Sequence, residues 1–492
     1  MLSVLVLAPL AALILLNLPI KGQRTGLAYG LVLLLTAAQA AVLVFQPDLL
    51  RAGAPGQVLG LNLAADELSF VLLLSAGMVI FITALVGHAM MADDKQRFYF
   101  MNVLLVSLIG MNGAVLVSDL FSLYVFLEIT AVASFLLIAF NRDRHGLEGA
   151  FKYIIMSAVA TVLMLTAIAL FVLAAHSASF EVIHKAVCAP GANPLVRIAL
   201  GAFICGLFIK GGLVPFHGWV PGAYSAAPAP VSVLLAGAAT KISGIYGLIR
   251  LGLIGAYSAA PPAGPVGKPA WVWDLFAGSA SFSTLMLLIG MVSIVVGAFA
   301  AIAQTDMKRL LAWSSISQVG YIVLALGCGT PLAVVGAVFH VFNHATFKSL
   351  LFVNSAAVEQ QLQTTDMERL GGLGGRMPFT ATTSVVGLLS ASGVPPLAGF
   401  WSKLLIILAL WQADHRVYAI LAVLMSVVTL AYLLTMQRKV FFGKVREGLE
   451  ETREASAGLV LASLALAGVT VGAGVLFPLL YHTFLLQARV PQ

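Results

Sequence analysis

FICGLFIKGGLVPFHGWVPGAY, residues 203–224, is the segment on which the architecture turns. Its first half is apolar enough for the core of a bilayer, yet Lys210, Gly211, Gly212 and Pro215 stand where a spanning helix should continue. Proline removes a backbone donor and glycine weakens a helix, so N–H and C=O groups are freed at membrane depth; protein or water must satisfy them there. LLSASGVPPLAGFWSKLLIILAL, residues 388–410, repeats the plan with Gly393, Pro395, Pro396 and Lys403. Val-Pro at 214–215 with Trp219 is echoed by Val-Pro-Pro at 394–396 with Trp401. Interrupted helices at corresponding places in two halves imply an inverted repeat with a transport path between the halves.

The rest of the chain agrees with a membrane solvent. Sixty percent of its 492 residues are hydrophobic and ten percent charged, far from the roughly quarter-charged composition of a soluble domain. Stretches of about 20 apolar residues, the length needed to cross the hydrocarbon, can be placed fourteen times. They are 2–19, 26–45, 68–90, 99–117, 119–140, 150–176, 197–226 (broken), 229–254, 276–302, 308–328, 332–357, 379–412 (broken), 417–440 and 457–485. The first lacks a basic flank and is followed by further spans, so it reads as a helix and not as a signal peptide.

The expected fold is therefore an all-α integral membrane protein of about fourteen transmembrane helices. Its parts are helices 1–3 in residues 1–98, a first repeat in 99–254, a second in 276–440, and a loop with helix 14 in 441–492. Lysine and arginine favour cytoplasmic loops. With both termini outside, sixteen basic residues fall in inner loops and seven in outer segments. The net charge of +7 then reads as topology and not as nucleic-acid binding. Cys188, Cys205 and Cys328 are scattered, without a C-x-x-C pair, and there is no nucleotide-binding glycine motif. No cofactor, metal or redox centre is expected in this chain.

Of the 20 acids, 19 fall in loops or at span edges. Glu128, in DLFSLYVFLEITAVASFLL at 119–137, lies about nine residues, roughly 14 Å, inside its helix. Lys210, Lys241, Lys348 and Lys403 are its intramembrane counterparts. A charge at bilayer depth costs about 3 kcal/mol on insertion scales, so each needs a partner or a wet cavity and marks a functional site. Burial disfavours the charged form of a lysine and a nearby carboxylate favours it, so moving one charge toggles the next. Glu128 with Lys210 would be such a switch and Lys241 the central relay. His340, His344 and Lys348, at i, i+4 and i+8, would form a file about 12 Å long on one helix, with Lys403 as exit. Lys152 and His217 read as entrance or structural residues, Asp119 as a helix cap, and Trp219 as an interface anchor.

At this point the residues carry a resemblance. GGLVPFHGWVPGAYSAAPAPVSVLLAGAATKISGIYGLIR (211–250), TDMKRLLAWSSISQVGYI (305–322), HVFNHATFKSLLF (340–352) and SGVPPLAGFWSK (392–403) resemble the signature segments of the antiporter-like subunits shared by respiratory complex I, Mrp-type cation/proton antiporters and group 4 membrane-bound hydrogenases. The resemblance implies that helices 4–8 and 9–13 are the inverted repeats, with helices 7 and 12 broken. It also matches the family's helix 5 glutamate to Glu128, its helix 7, 8 and 12 lysines to Lys210, Lys241 and Lys403, and its helix 11 connecting residues to His340, His344 and Lys348. The acidic position that usually follows the helix 7 break is Gly222 here, and the long lateral helix of the largest complex I member is missing from this sequence.

Three function classes follow. One is a proton-translocating subunit driven by redox chemistry in partner chains, which would hold any iron–sulfur clusters. Another is a subunit of a Na⁺/H⁺ antiporter driven by ion gradients. The last, a scaffold that has lost transport, gives no reason to keep five costly buried charges. Expected partners are other membrane subunits, homologous ones among them, together with lipid, protons and, in the antiporter reading, Na⁺. A prokaryotic inner membrane is the expected location.

Overall fold

The computed structural model describes residues 2–19, 24–46, 56–58, 60–188, 193–251 and 282–481. Lys21, Arg51, Lys268 and Arg489, which are among the basic residues counted for orientation, lie outside the described residues, as do positions 252–254, 276–281 and 482–485 at span ends.

Each of the fourteen expected spans is a helix. Helices 1–6 run Val4–Asn17, Thr25–Phe45, Glu67–Met90, Asp94–Leu116, Leu120–Ile138 and Arg144–Ala175. Helix 7 is split into 7a (Pro194–Gly211) and 7b (Trp219–Ala226), and helix 8 is Ala229–Leu251. Helices 9–11 are Phe282–Ile302, Met307–Cys328 and Pro331–Leu362. Helix 12 is split into 12a (Pro378–Ser392) and 12b (Ala398–Gln412), and helices 13 and 14 are Arg416–Phe441 and Ala457–Val475. Among the described residues three small elements went unanticipated: a hairpin of β1 (Gly56–Val58) and β2 (Leu61–Leu63), a short helix, Phe180–Cys188, before helix 7, and a 3-10 turn, Leu373–Gly375, before helix 12a.

The position of the acids at span edges has a local cause. The first turn of a helix leaves N–H groups unpaired, and a short acidic side chain at the N-cap accepts from them. Asp66, Asp93, Asp119, Asp143 and Asp306 do this for helices 3, 4, 5, 6 and 10. Helix 12a has no such residue of its own. Glu454, from the loop after helix 13, accepts instead from Phe379 N at 2.8 Å and Thr380 Oγ1 at 2.6 Å.

Both breaks end in one way. Gly212 and Gly393 adopt φ of 68° and 80°, the left-handed region that glycine reaches without a Cβ clash. Leu213 N then donates to Phe208 O at 3.1 Å, and Val394 N to Leu389 O at 3.0 Å. The glycine-to-carbonyl offsets are identical, so Lys210 in 7a corresponds in place to Ala391 in 12a. A correction follows for Trp219. It is buried, and its indole N–H donates to Ile209 O at 2.9 Å, so it satisfies a carbonyl freed by the break and does not anchor an interface. Trp401 likewise donates to Gly474 O of helix 14 at 2.9 Å.

Helix 8 changes from α to π, over Leu235–Ala239 and Lys241–Tyr246. It packs against 7a backbone to backbone: a Cβ on Gly244 would lie 2.3 Å from Gly211 Cα. At its C-terminal end Arg250 pairs with the helix 3 cap Asp66, and its Nε donates to Tyr246 Oη at 3.1 Å. Among the described residues eleven helices are long and apolar enough to cross a membrane, and helix 8 is buried throughout. Helix 11 is not among the eleven; its His340, Asn343, His344, Lys348 and Asn354 are all buried, so its polarity faces protein and not lipid.

A buried row of lysines and histidines

Glu128 of helix 5 and Lys210 of helix 7a, 82 positions apart, form an ion pair at 2.9 Å. Thr161 of helix 6 donates to the same Oε1 at 2.7 Å, and Lys210 also donates to Ser157 Oγ at 3.3 Å. The Lys210 side chain is 4% exposed and that of Glu128 29%, so the acid sits on a lateral face while the lysine points inward. Lys210 precedes Gly211, and Lys241 stands one turn before Gly244, so the glycine contact brings helix 7a against helix 8 beside both lysines.

The other three lysines have no acid. Among the described residues none forms an ion pair; each donates to a backbone carbonyl made available by irregular or neighbouring structure. Lys241 Nζ donates to Ala236 O within the π segment and to Thr240 Oγ1 at 3.1 Å. A π turn recurs at functional sites because it frees and re-aims backbone groups. Lys348 Nζ reaches Leu311 O of helix 10 at 3.1 Å. Lys403 Nζ reaches back across its break to Ala391 O at 2.8 Å and lies 4.4 Å from the centre of the Tyr321 ring, a cation–π contact. Through Ala391, Lys403 thus occupies the place in the second repeat that Lys210 holds in the first.

Helix 11 joins these lysines. It packs against helix 8, which carries Lys241, against helix 10, and against helix 12b, which carries Lys403, while bearing Lys348 itself. His340 Nδ1 is 2.9 Å from Ser402 Oγ, which itself donates to Gly399 O at 3.1 Å. Which of these two atoms donates is set by the tautomer of the histidine. Buried polar atoms ordinarily have partners. Here His340 Nε2, both His344 ring nitrogens, Asn343 Oδ1 and the Gln318 amide have no hydrogen-bond partner of normal geometry among the described residues. Fixed atoms of this kind, carried on the neighbouring helices 10 and 11, suit hydrogen-bonded water.

Lys152 and His217 stand apart from this row. Lys152 is half exposed and pairs with Glu148 at 2.6 Å, and it passes Gly222 closely enough that a Cβ there would meet its Cδ at 3.6 Å. His217 lies within the helix 7 break, its ring 5.3 Å from that of Trp313. The sequence reading missed Lys308, which it counted as a loop cation. Lys308 is buried, donates to Ala227 O at 2.9 Å and pairs with Glu359 at 3.2 Å. It also missed Asn343, whose amide donates to Ala398 O at the helix 12 break at 2.9 Å. No local signal marks either one, because both contacts cross between helices.

The family model described as NADH:quinone oxidoreductase/Mrp antiporter, TM, matches residues 117–266 and 268–429. The chain is 27% identical over 442 residues to a Na(+)/H(+) antiporter subunit of Alkalihalophilus pseudofirmus, covering 89% of this chain and 85% of that one. It is 34% identical over 386 residues to an NADH-quinone oxidoreductase subunit of Desulforudis audaxviator, covering 76% and 71%. Its fold superposes on a chain of the Mrp complex from Dietzia sp. with a TM-score of 0.85 and 23% identity, covering 98% and 96%. The chain belongs to the NADH:quinone oxidoreductase/Mrp antiporter transmembrane family and is one of its antiporter-like membrane subunits.

Proposed function

We propose that this chain carries protons through the membrane domain of a multisubunit complex, along Glu128, Lys210, Lys241, His344, Lys348, His340 and Lys403, with redox chemistry in partner chains as the driving reaction. The observation that carries the reading is the row of buried lysines and histidines without carboxylates that continues from the single Glu128–Lys210 pair. Three lysines held only by neutral dipoles are costly as a permanent structural device, whereas groups that gain and lose a proton need not all be charged at once. Closing the Glu128–Lys210 pair holds that lysine charged; opening it exposes the charge to Lys241, and the change passes along helix 11 to Lys403. Lys152 and His217 belong to the approaches. The basic loops face the cytoplasm and both termini face outward. The membrane is a prokaryotic inner membrane, lipid covers the exposed apolar helices, and redox cofactors, iron–sulfur clusters among them, reside in partner subunits.

Lys241→Met tests the reading, since methionine matches the length of the lysine stem and removing a buried charge leaves the helix intact. Proton flux in vesicles at normal protein level should fall to background with assembly unchanged; wild-type flux would remove Lys241 from the mechanism. A second reading, Na⁺/H⁺ antiport driven by gradients alone, is favoured by the likeness to an antiporter subunit along most of both chains. Mass spectrometry of the purified complex separates the two: an iron–sulfur or hydrogenase subunit supports redox drive, and a set of membrane subunits alone supports antiport.

A further inference from the structure

Two hydroxyls that the sequence did not mark lead away from Lys241 toward the side of the basic loops. Thr240 Oγ1 accepts from Lys241 Nζ at 3.1 Å and lies 2.8 Å from Tyr224 Oη, which comes from helix 7b across the elbow between helices 7 and 8. Both hydroxyls also reach the Leu235 carbonyl, at 3.0 Å from Tyr224 and 2.9 Å from Thr240. The Tyr224 ring is buried and packs edge-to-face on Phe352 of helix 11, with centroids 6.1 Å apart.

Phe352, Ser355 and Glu359 follow one another at three- and four-residue spacing, so they share a face of helix 11 that rises about 10 Å toward the basic loops. Ser355 Oγ is fully buried and without a partner among the described residues. Glu359, with Lys308 and Ser225, lines a polar cleft of about 610 Å³ that opens on that side. Ser225 and Ala226, which directly follow Tyr224, line this cleft, and Lys308, paired with Glu359, is tied to Ala227 O at the elbow.

We propose that Tyr224 and Thr240 are the proton-loading wire of Lys241, drawing on water in this cleft; the proposal rests on the reading of Lys241 as a relay. A proton delivered by cleft water bonds to Tyr224 Oη as the phenolic hydrogen passes to Thr240 Oγ1. The Thr240 hydrogen passes in turn to the lone pair of neutral Lys241 Nζ. One O–H bond forms and one breaks at each hydroxyl, an N–H bond forms at the lysine, and the net change is one proton moved from cleft to relay. Hydroxyls suit this task because each both donates and accepts without becoming charged near neutral pH. In the observed arrangement Lys241 donates to Thr240, which is the order left at the lysine end after loading, and Thr240 has turned to the Leu235 carbonyl; rotation of the two hydroxyls resets the wire. The missing carboxylate at Gly222 is then no obstacle, because Glu359 supplies an acidic group at the cleft.

The test reconstitutes the assembled complex in liposomes and follows proton uptake with a pH-sensitive dye under an imposed potassium diffusion potential. Thr240→Ser keeps the hydroxyl and should stay within about twofold of wild type. Thr240→Val keeps the shape, Tyr224→Phe keeps the ring, and each should lower the flux at least tenfold while assembly and thermal stability hold. Wild-type flux in either of the last two would overturn the wire, as would an equal loss in the serine and valine variants, which would mean that Thr240 matters for packing. Lys241→Met in the same assay keeps the two readings apart. If it conducts, the relay itself is wrong; if it does not and Tyr224→Phe conducts fully, only the wire is wrong.

Discussion

Replacing Glu128 by glutamine removes the charge and keeps the shape, and Thr161 can still donate to the amide oxygen, so the variant isolates the electrostatic part of the pair. At the observed 2.9 Å and an effective dielectric of 20, the attraction between the charges is about 6 kcal/mol. Part of this is lost to the solvation of a carboxylate left 29% exposed. Removing one partner of a buried pair costs about 3–5 kcal/mol in practice, and the lower figure suits a partly exposed acid. A loss of about 3 kcal/mol in the closed state of the switch corresponds to roughly a hundredfold in any rate that passes through it. Glu128→Asp withdraws the carboxylate by about 1.5 Å, which leaves about 4 kcal/mol of attraction at the same dielectric; its flux should fall only about tenfold to thirtyfold. Glu128→Ala should resemble glutamine, because charge and not volume carries the role. The assay is proton flux in membrane vesicles with protein level and assembly matched to wild type. Wild-type flux in the glutamine variant would refute the glutamate–lysine switch, and an aspartate variant as poor as glutamine would show that position outweighs charge.

Two other outcomes follow from the geometry. His344→Ala and Lys403→Ala should each impair flux, and the double variant should be little worse than the poorer single one, because residues on one route do not add; multiplicative losses would place them on separate routes. At the start of helix 3, burial opposes ionisation of Asp66, but the Arg250 charge and the hydrogen bonds from Arg250 and Ser69 outweigh it and hold its carboxyl below the usual aspartate range. A depressed carboxylate stabilises the fold above its unfolded pKa of about 3.9, and that contribution is lost as pH falls through the lower folded value. Thermal melts in detergent should therefore show this contribution intact from neutral pH down to about pH 4 and lost below it. Asp66→Asn should lose about 3 kcal/mol at neutral pH, by leaving Arg250 buried without its acid, and should show a smaller acid dependence; an unchanged acid limb would assign it to other carboxylates.

The fourteen helical segments, both breaks and the places of Glu128 and of the four lysines within them were legible in the sequence. These depend on properties the chain carries locally: the length that matches a bilayer, the hydrogen bonds a proline or glycine leaves open, and the cost of a charge among apolar neighbours. Asp119 as a helix cap was legible for the same reason. Trp219 was misread because what it satisfies, the Ile209 carbonyl, lies across the break, and Lys308 because a basic residue near a helix start looks solvated until helices 7, 10 and 11 close over it.

The partnerships came from the packing of the helices. It set Glu128 against Lys210 across 82 positions, turned Lys403 back onto Ala391, widened helix 8 into a π segment around Lys241, and brought Tyr224 to Thr240. A helix face is written in local periodicity, but which atom a buried side chain meets is fixed by how separate helices pack, and a string of residues holds no distance between them.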